Sequence, residues 1–180
     1  VEALLRWRDP VRGVIPPTEF IPIAEESGMI HALGARVLRD ACRQVVQWHR
    51  LGMMLRLSVN LSVQQLQHDS CLAVVEEALR SSGLAPQYLE LEITESVIIT
   101  RPENAVATLA KLKERGISIT VDDFGTGYSS LSYLARLPIE AVKIDQRFVH
   151  GLEHNSNDVA ITQAIIALSH SLGLRVIAEG

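Results

Sequence analysis

Asn60, Glu92, the adjacent pair Asp122-Asp123, Lys143 and Glu179 each stand at the C-terminal side of a short run rich in β-forming residues. Glu2 sits on the first such run, with Arg6 four positions later. The five carboxylates would repel one another by several kcal/mol per close pair in a partly desolvated site. Protonation or divalent cations relieve that repulsion. A donor set of carboxylates plus the Asn60 amide is all oxygen, which suits hard ions such as Mg²⁺ or Mn²⁺ and not zinc or copper. Neighbouring side chains such as Asp122 and Asp123 point to opposite sides of an extended chain. They serve one site only where the strand gives way to a loop, and Phe124-Gly125-Thr126-Gly127 supplies that loop. Asp122 would then bridge two ions roughly 3.5–4 Å apart while Asp123 holds the second, an arrangement that activates water for in-line attack on a phosphodiester. Lys143 would neutralise developing charge or orient the water. Glu179 would complete the second ion's shell or accept the water's proton.

The elements that must position these residues alternate between period 2 and helical period. Strands are predicted over Glu2 to Trp7, Leu55 to Leu61, Tyr88 to Thr94, Ile117 to Asp122, Ala141 to Ile144 and Leu174 to Glu179. Helices are predicted over Ile30 to Arg50, Cys71 to Ser82, Glu103 to Arg115, Ser129 to Ala135 and Val159 to Leu172, several closed by a glycine in the usual C-terminal position. The steps from 60 to 92, 92 to 122 and 143 to 179 cover 32, 30 and 36 residues, the length of one strand plus one crossover helix. A parallel sheet with helices outside it follows. Each strand also alternates: Ser58 and Asn60 among leucines and valines, Glu90, Glu92 and Thr94 among Leu89, Leu91 and Ile93, and Ser118 and Thr120 among isoleucines. A doubly wound sheet, covered on both faces, has continuous apolar strands instead. Polar faces that share an enclosed space point to a TIM-like (β/α) barrel, of which about six strands are present, with its chemistry at the strands' C-terminal ends.

The chain has 180 residues, 47% of them hydrophobic and 21% charged, which excludes disorder as its main state. Lysine plus arginine at 17 against 21 acids leaves a net charge of −4, so no basic surplus exists to hold polymeric nucleic acid. Cys42 and Cys71 lack the spacing of a disulfide framework or a zinc site, which fits a reducing cytoplasm. No apolar run has the length of a membrane span, and charges in the first eight residues exclude a signal peptide there.

The stretches Glu2-Ala3-Leu4-Leu5-Arg6, Asn60-Leu61-Ser62, Glu92-Ile93-Thr94-Glu95-Ser96, Asp122 to Leu131 (DDFGTGYSSL), Lys143-Ile144-Asp145 and Ala178-Glu179-Gly180 together resemble the EAL domain, the bacterial phosphodiesterase that cleaves cyclic di-GMP. The resemblance runs the whole length, so residues 1–180 are expected to be part of one EAL phosphodiesterase domain. It implies that Glu2, Asn60, Glu92 and Asp122 hold one metal ion and that Asp122, Asp123 and Glu179 surround the second. It further implies that Lys143 contacts the water, Arg6 holds a substrate phosphate, and Glu95 steadies the loop carrying Asp123. The implied reaction is hydrolysis of cyclic di-GMP to linear pGpG with two Mg²⁺ or Mn²⁺ ions. The implied setting is cytoplasmic, tethered to a membrane by other regions or not, as a homodimer fused to sensor or GGDEF domains. Two pieces of the family pattern fall outside the chain: a first strand with a Tyr-x-Gln-Pro-like contact, and a glutamine-bearing segment after Gly180. The edges they would leave unpaired predict that these 180 residues alone are unstable or aggregation-prone.

Blander readings stand beside these. Lys143 could be an interior ion-pair partner or a Schiff-base lysine of an aldolase-like barrel, although nearby acids would keep its amine protonated. An inactive receptor of the same fold would bind the dinucleotide or a partner protein without turnover. His150-Gly151-Leu152-Glu153-His154 matches a zinc-binding spacing but reads as an exposed loop. Asp123-Phe124-Gly125 copies a kinase tripeptide by coincidence, because no glycine-rich nucleotide loop accompanies it. The stripe Val37, Leu38, Ala41, Val45 and Trp48 is the core-facing side of a helix.

Overall fold

The computed structural model describes residues 1–98, 102–127 and 134–179. The chain divides into two compact units, Val1–Glu90 and Leu91–Gly180.

In the first unit, β1 (Glu2–Ala3) pairs in parallel with β4 (Leu57–Asn60), setting Glu2 opposite Ser58. Between them lie an antiparallel hairpin, β2 (Trp7–Asp9) with β3 (Gly13–Ile15), and two helices, α1 (Pro17–Glu26) and α2 (Met29–Arg50). Trp7 meets Phe20 of α1 edge to face at 5.9 Å, which ties the hairpin to that helix. Leu38, Cys42 and Val45 form the buried line of α2, which packs on α4 (Cys71–Ser82), and Val37, Ala41 and Trp48 are half-buried at its margin. The short α3 (Val63–Gln67) opens with a reciprocal cap, in which the Ser62 hydroxyl accepts from the Gln65 amide N–H and the Gln65 side chain accepts from that of Ser62.

The strand β5 (Leu89–Thr94) straddles the boundary between the units. In the second unit, β6 (Ser118–Phe124), β7 (Ala141–Ile144) and β8 (Arg175–Ala178) pair in parallel, β7 in the middle. Helix α5 (Pro102–Glu114) precedes β6, while α6 (Gln146–His150) and α7 (Ser156–Ser171) join β7 to β8. Leu91, Ile93, Leu109, Leu112, Ile117, Ile119, Val121, Ala141 and Val142 are at most 1% exposed and form a dry core. The other side of the same strands buries Glu92, Ser118, Thr120 and Lys143. Six parallel-set strands and their crossover helices agree with the predicted α/β architecture.

The differences have local causes. The predicted strand Glu2 to Trp7 stops at Ala3, so Arg6 lies in a loop and not on the face of Glu2. The hairpin and α1 fill the span from Trp7 to Glu26, where no helix was predicted. Pro17 instead occupies the first helical position, where its fixed φ suits the helix and its missing N–H costs nothing. The zinc-like run is not simply a loop: His150 ends α6 and Gly151–Glu153 form a 3-10 turn, with both histidines exposed. The helix predicted over Ser129 to Ala135 lies mostly outside the described residues. Among the described residues, no helix is long and apolar enough to cross a membrane.

Both thiols are free and buried, and burial pushes each up to about 11. A raised thiol keeps its proton in the folded state while the unfolded chain releases it near pH 8.5–9. This contribution is therefore present below that pH and lost as pH climbs to about 11. We expect urea unfolding to show stability falling between pH 8 and pH 10.5, by on the order of 2 kcal/mol per thiol. Cys71→Ala should flatten the slope, and a thiol reagent should react with either cysteine only after denaturant is added. Rapid native labelling would contradict this burial.

Candidate active site

Lys143 points from the middle of β7 into the polar side of the second unit, where its side chain is only 10% exposed. Its Nζ lies 2.7 Å from Glu179 Oε1, 3.0 Å from Glu92 Oε2 and 3.7 Å from Asp122 Oδ1. Desolvation works against the ammonium. Hydrogen bonds to Glu179 and Glu92, with the charges of Glu92 and Asp122, outweigh it and hold Lys143 above its ordinary value. The strands thus gather Glu92 from β5, Asp122 from β6 and Glu179 from just past β8 around one cation. Glu179 is tied there by its backbone N–H, which donates to the Ile144 carbonyl at 3.3 Å.

Asp122 is pushed up to about 6, chiefly by desolvation, with Lys143 opposing and the charges of Glu179 and Glu92 adding to the rise. Asp123 is raised as well, by desolvation first and then by the charges of Asp145 and Glu179. One oxygen each from Asp122, Asp123 and Glu179 lies within 4.8 Å of the others, a grouping able to hold a cation.

The expected loop at Asp122-Asp123 is replaced by a bulge. Both residues belong to β6, but the pairing register with β7 shifts between Val121 and Phe124, and Asp123 takes φ 54. An extra residue in one strand lets neighbouring side chains leave strict alternation, so two consecutive carboxylates reach one place. Asp is among the few side chains that tolerate this left-handed backbone. The Asp123 N–H donates to Asp122 Oδ1 at 3.0 Å, and the Thr126 hydroxyl donates to the Asp123 carbonyl at 3.0 Å.

The turn after the bulge is held from below by Glu95, a carboxylate only 3% exposed. Its Oε2 accepts from the N–H groups of Gly125 at 3.0 Å and Gly127 at 3.1 Å. A Cβ at Gly127 would stand 3.0 Å from that carboxyl, so a larger residue would displace it. Residues 128–131, the rest of the DDFGTGYSSL motif, lie outside the described residues, as do residues 132, 133 and 180.

In the first unit, the Asn60 amide donates to Glu2 Oε1 at 2.7 Å, so the β1–β4 pairing brings these two together at exposed strand ends. Arg6 is exposed and donates to the Leu5 carbonyl at 3.0 Å.

Sequence reasoning quoted Asp145 in the Lys143-Ile144-Asp145 stretch without giving it a role, and passed over Arg147. Asp145 is buried and caps α6, its Oδ1 accepting from the Arg147 backbone at 2.8 Å and from the guanidinium Nε at 3.0 Å. The Arg147 guanidinium, first among these, holds its carboxyl below the usual range, and its side chain also meets that of Asp123. An Asp just ahead of a short helical stretch is a capping signal that could have pointed to it.

The EAL domain matches residues 1–180. The chain is 44% identical over 181 residues to the cyclic di-GMP phosphodiesterase NbdA of Pseudomonas aeruginosa, covering 100% of this chain and 23% of that protein. It is 42% identical over 180 residues to the cyclic di-GMP phosphodiesterase PdeR of Escherichia coli, covering 100% of this chain and 27% of that protein. The solved structure of the PaMucR phosphodiesterase in complex with c-di-GMP superposes with a TM-score of 0.94 at 44% identity, covering 99% of this chain and 73% of that one. The chain spans about a quarter of the length of the curated relatives it matches. Its fold is that of these neighbours, a TIM-like barrel of which six strands are present in this chain, and the chain belongs to the EAL domain family.

Proposed function

We propose that this chain, as part of one EAL phosphodiesterase domain, hydrolyses one phosphodiester of cyclic di-GMP to give linear pGpG. The observation that carries this reading is the buried Lys143 shared by Glu92, Asp122 and Glu179, with Asp123 brought to the same place. The relatives' names and the c-di-GMP complex of PaMucR support the substrate.

Mg²⁺ or Mn²⁺ fits these residues, because the donors are all oxygen and three of them converge without a full complement of positive charge. By family resemblance, Glu2, Asn60, Glu92 and Asp122 would hold one ion, and Asp122, Asp123 and Glu179 the second. Two such ions would supply positive charge for the phosphate oxygens and lower the pKa of a bound water. Lys143, fixed as an ammonium by its partners, orients the attacking water and offsets charge that builds on the phosphate. Glu179 accepts the water's proton. Arg6 provides a guanidinium for a substrate phosphate. Glu95 holds the turn that carries Asp123. In the same reading the protein acts in the cytoplasm as a homodimer, behind sensor or GGDEF domains.

In the complete protein, Asp122→Ala should lower turnover of cyclic di-GMP by about a hundredfold or more, followed as pGpG release by chromatography. Glu2→Ala should act in the same direction, and EDTA should abolish turnover until Mg²⁺ or Mn²⁺ is restored. Undiminished hydrolysis in Asp122→Ala sinks the proposal, whereas tight dinucleotide binding with no wild-type turnover would favour a receptor.

A second expectation concerns metal-free protein. Asp122 has a raised folded value, so the folded state keeps a proton that the unfolded chain gives up near pH 4. Its contribution is present below about pH 4 and lost as pH rises to about 6, on the order of 2–3 kcal/mol. Denaturant unfolding in EDTA at pH 4.5 and pH 7 should show this loss, and Asp122→Asn should remove that part of the slope. An unchanged slope in the variant would mean Asp122 does not feel this burial.

A further inference from the structure

On its β7 side the bulge that brings Asp123 to the site is not held by a continuous ladder, because the β6–β7 register shifts between Val121 and Phe124. A left-handed backbone at a residue with a Cβ persists only where its surroundings over-determine it. Glu95 supplies restraint on one side. On the other, a Cβ built on Gly125, which has φ +100, would stand 2.9 Å from both Phe148 Cε2 and Ile165 Cδ1. The Phe148 ring from α6 and the Ile165 methyl from α7 therefore close directly on the glycine backbone.

Phe148 belongs to the same five-residue helix that Asp145 caps, and the Asp145 side chain meets that of Asp123. One short helix thus touches the bulge twice, at a carboxyl and at a glycine, two residues apart. Arg147 fixes the carboxyl end through its backbone N–H at 2.8 Å and its guanidinium at 3.0 and 3.3 Å. At the aromatic end the Phe148 backbone N–H donates to the Asp145 carbonyl at 3.1 Å, and the ring itself is placed by packing.

We propose that Phe148 is a positioning residue for the hydrolysis, acting through Gly125 to keep the β6 bulge in the shape that presents Asp123. The inference rests on the phosphodiesterase reading. Phe148 has no polar side-chain atom for substrate or ion, so it acts by shape. Truncating it opens a space beside Gly125 into which the bulge relaxes, and Asp123 leaves its place beside Asp122 and Glu179.

The test uses Phe148→Ala and Phe148→Leu in the complete protein, with three readouts: steady-state kinetics on cyclic di-GMP, Mn²⁺ binding by calorimetry without substrate, and amide exchange of peptides covering Ser118–Gly127 and Ala141–Ile144. Phe148→Ala should lower kcat about tenfold or more while KM for the dinucleotide stays within about twofold. It should weaken Mn²⁺ binding by about tenfold and speed exchange at Gly125 and Gly127 but not in β7. Phe148→Leu, which refills most of the space, should recover most of each effect. Wild-type kcat and Mn²⁺ affinity in Phe148→Ala would overturn the inference. So would equal losses in both variants with faster exchange across β7, the mark of a general core residue. If wild-type protein binds Mn²⁺ but does not hydrolyse the dinucleotide, the phosphodiesterase reading falls, while weaker Mn²⁺ binding and local exchange in Phe148→Ala would still uphold the positioning role.

Discussion

A single ammonium among carboxylates is the constraint on which the second unit's polar side depends. Glu92 and Lys143 have side chains 1% and 10% exposed, and each would be costly to bury alone. Together they cancel part of each other's field, and Glu179 at 2.7 Å and Asp122 at 3.7 Å share the remaining positive charge. At these separations the attraction at an effective dielectric near 20 is on the order of 4 kcal/mol per pair before desolvation is subtracted. That scale explains why Lys143 stays charged where burial alone would strip its proton. Asp122, raised first by desolvation, lies farther from the ammonium and faces the like charges of Glu179 and Glu92, and so rises to about 6 instead. The pocket is thus built short of positive charge.

The backbone meets that electrostatic demand by an irregularity. A regular strand would send Asp122 and Asp123 to opposite faces, one of them into the apolar layer of Ile119 and Val121. The bulge avoids this by spending one residue in the left-handed region, and an Asp there is less strained than a β-branched or bulky residue would be. The glycines that follow have the complementary property of letting other groups come close. Gly127 leaves room for Glu95, and Gly125 leaves room for Phe148 and Ile165. Function in this region is therefore written partly in residues that carry no chemistry.

What was legible in the sequence is what period and charge can express. The alternation at Leu89–Thr94 marked an apolar and a polar face, and the structure buries Glu92 on the polar one beside Lys143. The polar residues at strand ends identified Asp122, Lys143 and Glu179, which the fold does bring together. A bulge has no compositional signature beyond a tolerant residue, so Asp122-Asp123 read as the start of a loop. Arg6 was placed on a strand because Leu4 and Leu5 continue the apolar run. A two-residue β1 is set by pairing with Ser58 and Val59, which lies 55 or more residues away and is invisible to a local window. The roles of Asp145 and Arg147 escaped for the opposite reason. Their pairing is local, but a two-residue spacing carries meaning only once Asp145 is known to cap a helix.

The same charge arithmetic decides between chemistries that the sequence left open for Lys143. A Schiff-base lysine must present a neutral amine, and buried lysines reach that state when desolvation is uncompensated or another cation is near. Here desolvation is opposed by two hydrogen bonds to carboxylates and by the charges of Glu92 and Asp122, and the net displacement is upward. An amine so held has no free electron pair at neutral pH, so attack on a carbonyl is closed to it. What it retains is three donors in fixed directions and a permanent positive charge. With Asp122, Asp123 and Glu179 left under-compensated at its side, the remaining deficit of positive charge is one that hard cations can fill.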